Sequence, residues 1–292
     1  MSLSFATLGI SSALTLSDDF KKTNVSAAKI LEIIETKPKV DRKVGGSLES
    51  VRGKIEFRDV SFKYPTAETY AVRHLSFVIN PGQTVAFVGE SGCGKSTTLQ
   101  LIQRFYEIES GMILLDDVDM KTLSPVFIRS QISIVPQSPV LFSMSILDNI
   151  RYANPKKITD QEVAEAARIG NAHNFIMEMP ENYKSIVQQS SLSGGQKQRI
   201  CISRAIAARA PILLLDEATA ALDTESEKLV QQSLEQFRKG KTAIIVAHRL
   251  STVMNADNIL VFSLGKVVEE GTHKKLIEFG GIYADLVKFQ LQ

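Results

Sequence analysis

The sequence predicts an α/β fold built on a mostly parallel sheet, and three observations carry that expectation. Short continuous apolar runs occur at Val85 to Val88, Ile212 to Leu215 and Ala243 to Ala247, the pattern of strands covered on both faces. Helix-like stretches at Thr97 to Tyr106, Asp160 to Ile169, Gln196 to Ala208 and Glu225 to Arg238 alternate with them, as in βαβ architecture. The first run leads straight into a glycine-rich turn and a helix.

Taken in order, residues 1–53 differ from the rest. An apolar, Ser/Thr-rich start gives way to a short amphipathic helix in which Ala27, Ile30, Leu31 and Ile34 share one face. Pro38 ends it, and Asp41 to Arg52, with Gly45-Gly46, reads as a linker. From Lys54 the period changes to two: Ile55 and Phe57 alternate, then Val60, Phe62 and Tyr64, with a change of parity that predicts a bulge or a turn. Leu75, Phe77 and Ile79 lead into the turn Asn80-Pro81-Gly82. Near the end, Ile259 to Phe262 and Lys266 to Val268 read as a hairpin turned at Gly265.

Composition removes several classes of function. Thirty-four Lys+Arg against 32 Asp+Glu leave a net charge of +2 over 292 residues, which disfavours a dedicated nucleic-acid binder. Cys93 and Cys201 are too few for a disulfide framework or a zinc cluster, and a reducing compartment fits. No stretch reaches the ~20 apolar residues that span a bilayer, so the chain as written reads as soluble.

Gly89-Glu90-Ser91-Gly92-Cys93-Gly94-Lys95-Ser96 fits G-x-x-x-x-G-K-[ST], with a strand before it and a helix, opening at Thr97, after it. Glycines let the backbone approach phosphate, and the N–H nest and helix N-terminus attract anions. Lys95 is placed to reach β/γ-phosphate oxygens and Ser96 to ligate Mg²⁺. Ile212 to Leu215 end in Asp216-Glu217, two carboxylates where open α/β sheets bind ligands. There Asp216 can hold Mg²⁺ and Glu217 can act as general base. Leu192-Ser193-Gly194-Gly195-Gln196 begins 24 residues before Asp216 and opens an apolar helix, giving a second phosphate-binding surface.

With these motifs in this order, the sequence resembles the ATP-binding domain of ATP-binding-cassette (ABC) transporters, of the multidrug-resistance, P-glycoprotein-like exporter type. The resemblance covers about residues 54–292, including Leu214-Leu215-Asp216-Glu217-Ala218-Thr219, Leu222-Asp223-Thr224-Glu225-Ser226-Glu227, Ala247-His248-Arg249-Leu250-Ser251-Thr252 and Glu270-Gly271-Thr272-His273. It implies a P-loop NTPase (RecA-like), mostly parallel core with an antiparallel β subdomain and an inserted α-helical subdomain at about 140–205. Residues 1–53 then resemble the end of a membrane helix and a linker.

The resemblance also implies roles. Tyr64 would stack on adenine, and Gln137 would contact Mg²⁺ or the attacking water. His248, 31 residues past Glu217, would bind the γ-phosphate. Asp223 matches a loop at the dimer seam. Catalysis would rest on Glu217, His248, Lys95 and Gln137, and Mg²⁺ on Ser96, Gln137 and Asp216. ATP would be shared between one copy's phosphate loop and another's Ser193, Gly194, Gly195 and Gln196. The implied partners are a second such domain and the membrane domains of a multi-pass transporter, with this domain facing the cytosol. Three departures are visible. Only Gln188-Gln189-Ser190-Ser191 separates Val187 from Leu192, about two residues short of the usual acid-bearing stretch, which bears on coupling. Ser138 follows Gln137 where an acid is common, and Ala220 replaces a usual serine. A coiled-coil chromosome ATPase has no room here, since only 97 positions separate Lys95 from Leu192.

Overall fold

A computed structural model of the chain describes residues 21, 23–36, 38–42, 44–153, 158–187, 192–216, 230–231, 234–235, 237–246 and 253–290. It divides into two compact units, residues 1–41 and 42–292.

In the first unit, residues 23–35 form a helix, α1, that ends at Thr36, where both N–H and Oγ1 bond the carbonyl of Glu32. The expected apolar face is there, and it is exposed: Ile30, Leu31 and Ile34 lie open, as does Ile33, which is 75% accessible. Of residues 1–53, likened above to the end of a membrane helix and a linker, residues 1–20 lie outside the described residues. Among the described residues, no helix is long and apolar enough to cross a membrane.

The second unit carries two sheets. Strands β1 (Ile55–Phe62), β2 (Val72–Ile79), β4 (Ser110–Leu115) and β5 (Val118–Asp119) form an antiparallel sheet in the order β2-β1-β4-β5. Strands β3 (Thr84–Val88), β6 (Ile132–Val135), β7 (Ile212–Asp216), β8 (Thr242–Val246), β9 (Asn258–Ser263) and β10 (Lys266–Gly271) form the other, ordered β10-β9-β3-β8-β7-β6. Its five strands β9 to β6 run parallel and β10 pairs antiparallel at the edge. The expected bulge lies in β1, whose register slips between Phe57 and Val60, with Asp59 at φ 50°. Phe57 and Phe77 pair across β1 and β2 and stack at 4.5 Å. The β9–β10 hairpin turns on Leu264 and Gly265, both at positive φ, the geometry that suits a two-residue turn between twisted strands.

Among the described residues this unit's helices include α2 (Lys95–Ile102), α3 (Pro125–Ser130), α4 (Ile146–Arg151), α5 (Asp160–Ile169), α6 (His173–Met177), α7 (Gly194–Ala208), α8 (His273–Phe279) and α9 (Ile282–Gln290). The one expected over 97–106 starts earlier and stops at Ile102, because Arg104 turns left-handed at φ 51°. The described residues 230–231, 234–235 and 237–238 are helical, and most of the stretch expected there lies outside the described residues.

The parallel strands alternate even though both faces are buried. Ile212 and Leu214 face a core shared with the antiparallel sheet and α2, where Phe57, Phe77, Phe87 and Phe262 pack. Leu213 and Leu215 face a second core made by α4 to α7, with Ile146, Ile150, Val163, Ile176 and Ile200. The helices of this second core sit between β6 and β7 in sequence.

The stretch read as a linker is built into the second unit. Gly46 donates to Thr122 O and accepts from Ser124 N, both at 2.8 Å. Gly45 (φ 123°) has backbone within 2.5 Å of where a Cβ would stand. The Asp116 carboxylate accepts from the backbone N–H groups of Arg52, Gly53 and Lys54 at 2.6, 3.1 and 2.8 Å. Asp116→Ala therefore leaves three donors short of a partner, and a loss of about 1–3 kcal/mol is expected in chemical denaturation. An unchanged midpoint would show that the stretch is held by other contacts.

Candidate functional site

Parallel strands deliver their following loops to one edge of the sheet, and the motifs collect at that edge. β3 leads into Gly89, β6 into Gln137, and β7 ends on Asp216. In register, Phe87 of β3 and Asp216 of β7 both lie opposite Val246, the last residue of β8. The mouth of the glycine loop, Asp216 and the end of β8 are thus level across adjacent strands, with β3 and β7 two spacings apart, ~10 Å. Glu217 and His248, the next residues after Asp216 and Ala247, lie outside the described residues, as do Asp223 and Ala220.

The loop from Gly89 to Ser96 is shaped by its glycines. Gly89 has φ 147°, and a Cβ there would stand 2.3 Å from Phe262 O; at Gly94, φ 106°, it would stand 2.8 Å from Ala71 O. Gly92, at φ 78°, has nothing within 4 Å. Gly89→Ala is accordingly expected to lower thermal stability and nucleotide affinity together, whereas Gly92→Asn, with an asparagine that tolerates positive φ, is expected to melt near wild type. Equal melting of the two variants would contradict the packing described for Gly89.

Lys95 is buried, and its Nζ donates to Gly89 O and Glu90 O at 2.7 Å each, with Cys93 Sγ at 3.5 Å. The loop thereby curls around the ammonium. Gly94 is the N-cap of α2 and no side chain caps that end, so the first-turn N–H groups are left for an anion. Ser96 is exposed beside the buried Thr97. Tyr64 reaches the same helix: its hydroxyl lies 3.1 Å from Thr97 Oγ1 and donates to Gln100 Oε1 at 2.8 Å.

Ser193 is the N-cap of α7 and forms a capping box with Gln196: Gln196 N–H donates to Ser193 Oγ at 3.2 Å and Ser193 N–H to Gln196 Oε1 at 3.0 Å. Ser193 and Gly194 are exposed, so this helix end opens to solvent. α7 lies along β6. Ser133 Oγ donates to Ala205 O, and the fully buried Gln198 donates Nε2–H to Pro136 O at 3.1 Å. Its first turn therefore projects past the edge where Gln137 sits, above β6. β6 is three strand spacings from β3, ~14 Å. The structure brings Lys95, Ser96 and Thr97 together with Tyr64, and puts Gln137 and Asp216 on the same edge. It does not bring Ser193 to the glycine loop of its own chain.

A clamp absent from the sequence reading ties α7 to the loop after Gln137. Arg204 donates to Asn149 O, Val140 O and Asn149 Oδ1 at 2.8–2.9 Å and lies over the Phe142 ring. The fully buried Asn149 in turn bonds Phe142 N–H and the carbonyls of Phe142, Met144 and Ser145. Burial lowers the pKa of Arg204 and raises that of Cys201 next to it. Arg204 set among Ile200, Cys201, Ala207 and Ala208 at helical spacing was the available signal. Cys93 and Cys201 are both free and buried.

A glycine loop between a central parallel strand and a helix, with carboxylate, amide and hydroxyl oxygens along one sheet edge, defines a P-loop nucleotide-binding domain. The ABC transporter family model matches residues 72–220. The chain belongs to the ABC transporter family. It is 46% identical over 297 residues to "Multidrug resistance protein 1" of Entamoeba histolytica, covering 99% of this chain and 23% of that protein. It is 45% identical to human "ATP-binding cassette sub-family B member 5", with 99% and 23% covered, and 46% to "Multidrug resistance protein pgp-1" of Caenorhabditis elegans, with 100% and 22% covered. Among solved structures it is similar to a bacterial Atm1-family ABC exporter with ATP bound, at TM-score 0.86 and 34% identity, covering 93% of this chain and 48% of that one. The chain thus spans about a quarter of the length of the curated relatives it matches.

Proposed function

We propose that this domain binds and hydrolyses ATP between two copies or near-copies of itself, and that the resulting closing and opening drives export through attached membrane domains. The observation that carries the reading is the separation of two helix N-termini on one sheet edge. Lys95 with the α2 N-terminus, and Ser193 with the α7 N-terminus, point past the same edge about three strand spacings apart. One triphosphate cannot touch both within a chain, whereas a head-to-tail pair places each loop opposite the other's α7.

In this reading Tyr64 stacks on adenine, the N–H groups of residues 89–97 hold the phosphates, and Lys95 exchanges its loop carbonyls for β/γ-phosphate oxygens. The hydroxyl of Ser96, the amide of Gln137 and the carboxylate of Asp216 are hard oxygen donors of the kind Mg²⁺ takes, alongside phosphate and water. When bound, Mg²⁺ neutralises charge on the phosphate oxygens. Glu217 takes a proton from the attacking water and His248 holds the γ-phosphate. The domain works at the cytosolic side of the membrane that carries its transporter.

Activity requiring two copies depends on concentration. ATPase activity per milligram is expected to rise with protein concentration and then level off. Constant specific activity over a hundredfold dilution would contradict the shared site.

A further inference from the structure

The aromatic ring assigned to the adenine base is held from behind by a residue outside the nucleotide loop. Tyr64 has one hydroxyl hydrogen, and it goes to Gln100 Oε1 at 2.8 Å. The 3.1 Å contact with Thr97 Oγ1 is then a bond donated by the threonine. The ring itself meets Phe62 edge-on at 4.9 Å and Tyr106 edge-on at 5.2 Å. Phe62 is anchored in the core and Tyr106 packs against it. Gln100 is half-buried on α2, one turn beyond Thr97, so the tether joins the ring to the helix that opens at Lys95.

We propose that Gln100 is a positioning residue for nucleotide binding: by accepting the Tyr64 hydroxyl it fixes the stacking ring relative to the phosphate loop before the base arrives. This rests on the reading of Tyr64 as the base platform. A platform already in its bound rotamer loses no further side-chain freedom on binding, and that ordering accounts for roughly a threefold to tenfold change in affinity. Both hydroxyl bonds are satisfied inside the protein, so the hydroxyl acts as a brace and the ring face makes the contact.

The test is a set of equilibrium titrations with MgATP and with magnesium tripolyphosphate, which has phosphates and no base. Gln100→Leu and Tyr64→Phe are each expected to weaken MgATP binding threefold to tenfold. The double variant should be no weaker than either alone, and tripolyphosphate binding should match wild type throughout. Gln100→Glu, which keeps an acceptor oxygen, should restore MgATP affinity. Tyr64→Ala is expected to weaken MgATP further, by the whole stacking contribution. If Tyr64→Ala binds MgATP as wild type does, the base-platform reading fails and the proposal with it. If Tyr64→Ala is weakened while Gln100→Leu and Tyr64→Phe are not, the platform stands and the brace is overturned. Equal loss of tripolyphosphate and MgATP in Gln100→Leu would show a general disturbance of α2 and also overturn it.

Discussion

Glu217→Gln is expected to bind MgATP with near wild-type affinity, to lose turnover by about 10²–10⁴-fold, and to accumulate as an ATP-loaded dimer. The magnitude is that of removing a general base from a positioned water. The retention of binding follows from the division of labour along the sheet edge. In the proposed reading the phosphates are held by the loop after β3 and by Lys95, while residue 217 follows Asp216, the end of a strand two places from β3. Glutamine keeps the size and a carbonyl oxygen but cannot accept the proton, so the chemical step stops with the bridge intact. Single-turnover phosphate release and light scattering with MgATP measure both halves. Wild-type turnover in the purified variant would take Glu217 out of the role of base.

Lys95→Ala is expected to weaken nucleotide binding by about 10²-fold or more, because two charge-assisted bonds are worth about 1.5–3 kcal/mol each. The same substitution removes the two bonds by which Nζ holds the carbonyls of Gly89 and Glu90, so the loop should also lose its set shape. Tripolyphosphate and ATP should weaken together, in contrast to the changes at Gln100. A fluorescent-nucleotide titration reads this directly, and unchanged affinity would contradict the placement of Lys95.

Much of this was legible in the sequence where one local rule dominated. The continuous runs at 85–88 and 212–215 gave β3 and β7, the parity change gave the β1 bulge, and the Thr159–Glu162 spacing lies under a capping box that starts α5 at the expected Asp160. The amphipathic helix at 23–35 was readable from its period. Elements whose cause is tertiary were not foreseen. β4 begins with the exposed Ser110, Gly111 and Met112, and β6 is four residues whose pairing with β7 defines it. The two anchors of the linker stretch depend on Asp116 and on backbone at 122–124, more than sixty positions away. At the site, the motifs named the loops, and the family resemblance supplied Tyr64 and Gln137. Their common edge, the tether to Gln100 and the Arg204–Asn149 clamp come only from the folded chain.

The most direct measurement asks whether the two helix ends meet across copies. Glu217→Gln protein carrying Ser91→Cys is mixed with Glu217→Gln protein carrying Gly194→Cys, both native cysteines being replaced by alanine, and a short bifunctional thiol reagent is added. A species of twice the chain mass, joining one copy's glycine loop to the other's α7, is expected with MgATP and only with MgATP. Bound ATP without any such cross-link above the nucleotide-free level would contradict a phosphate shared between Lys95 of one copy and Ser193 of the next.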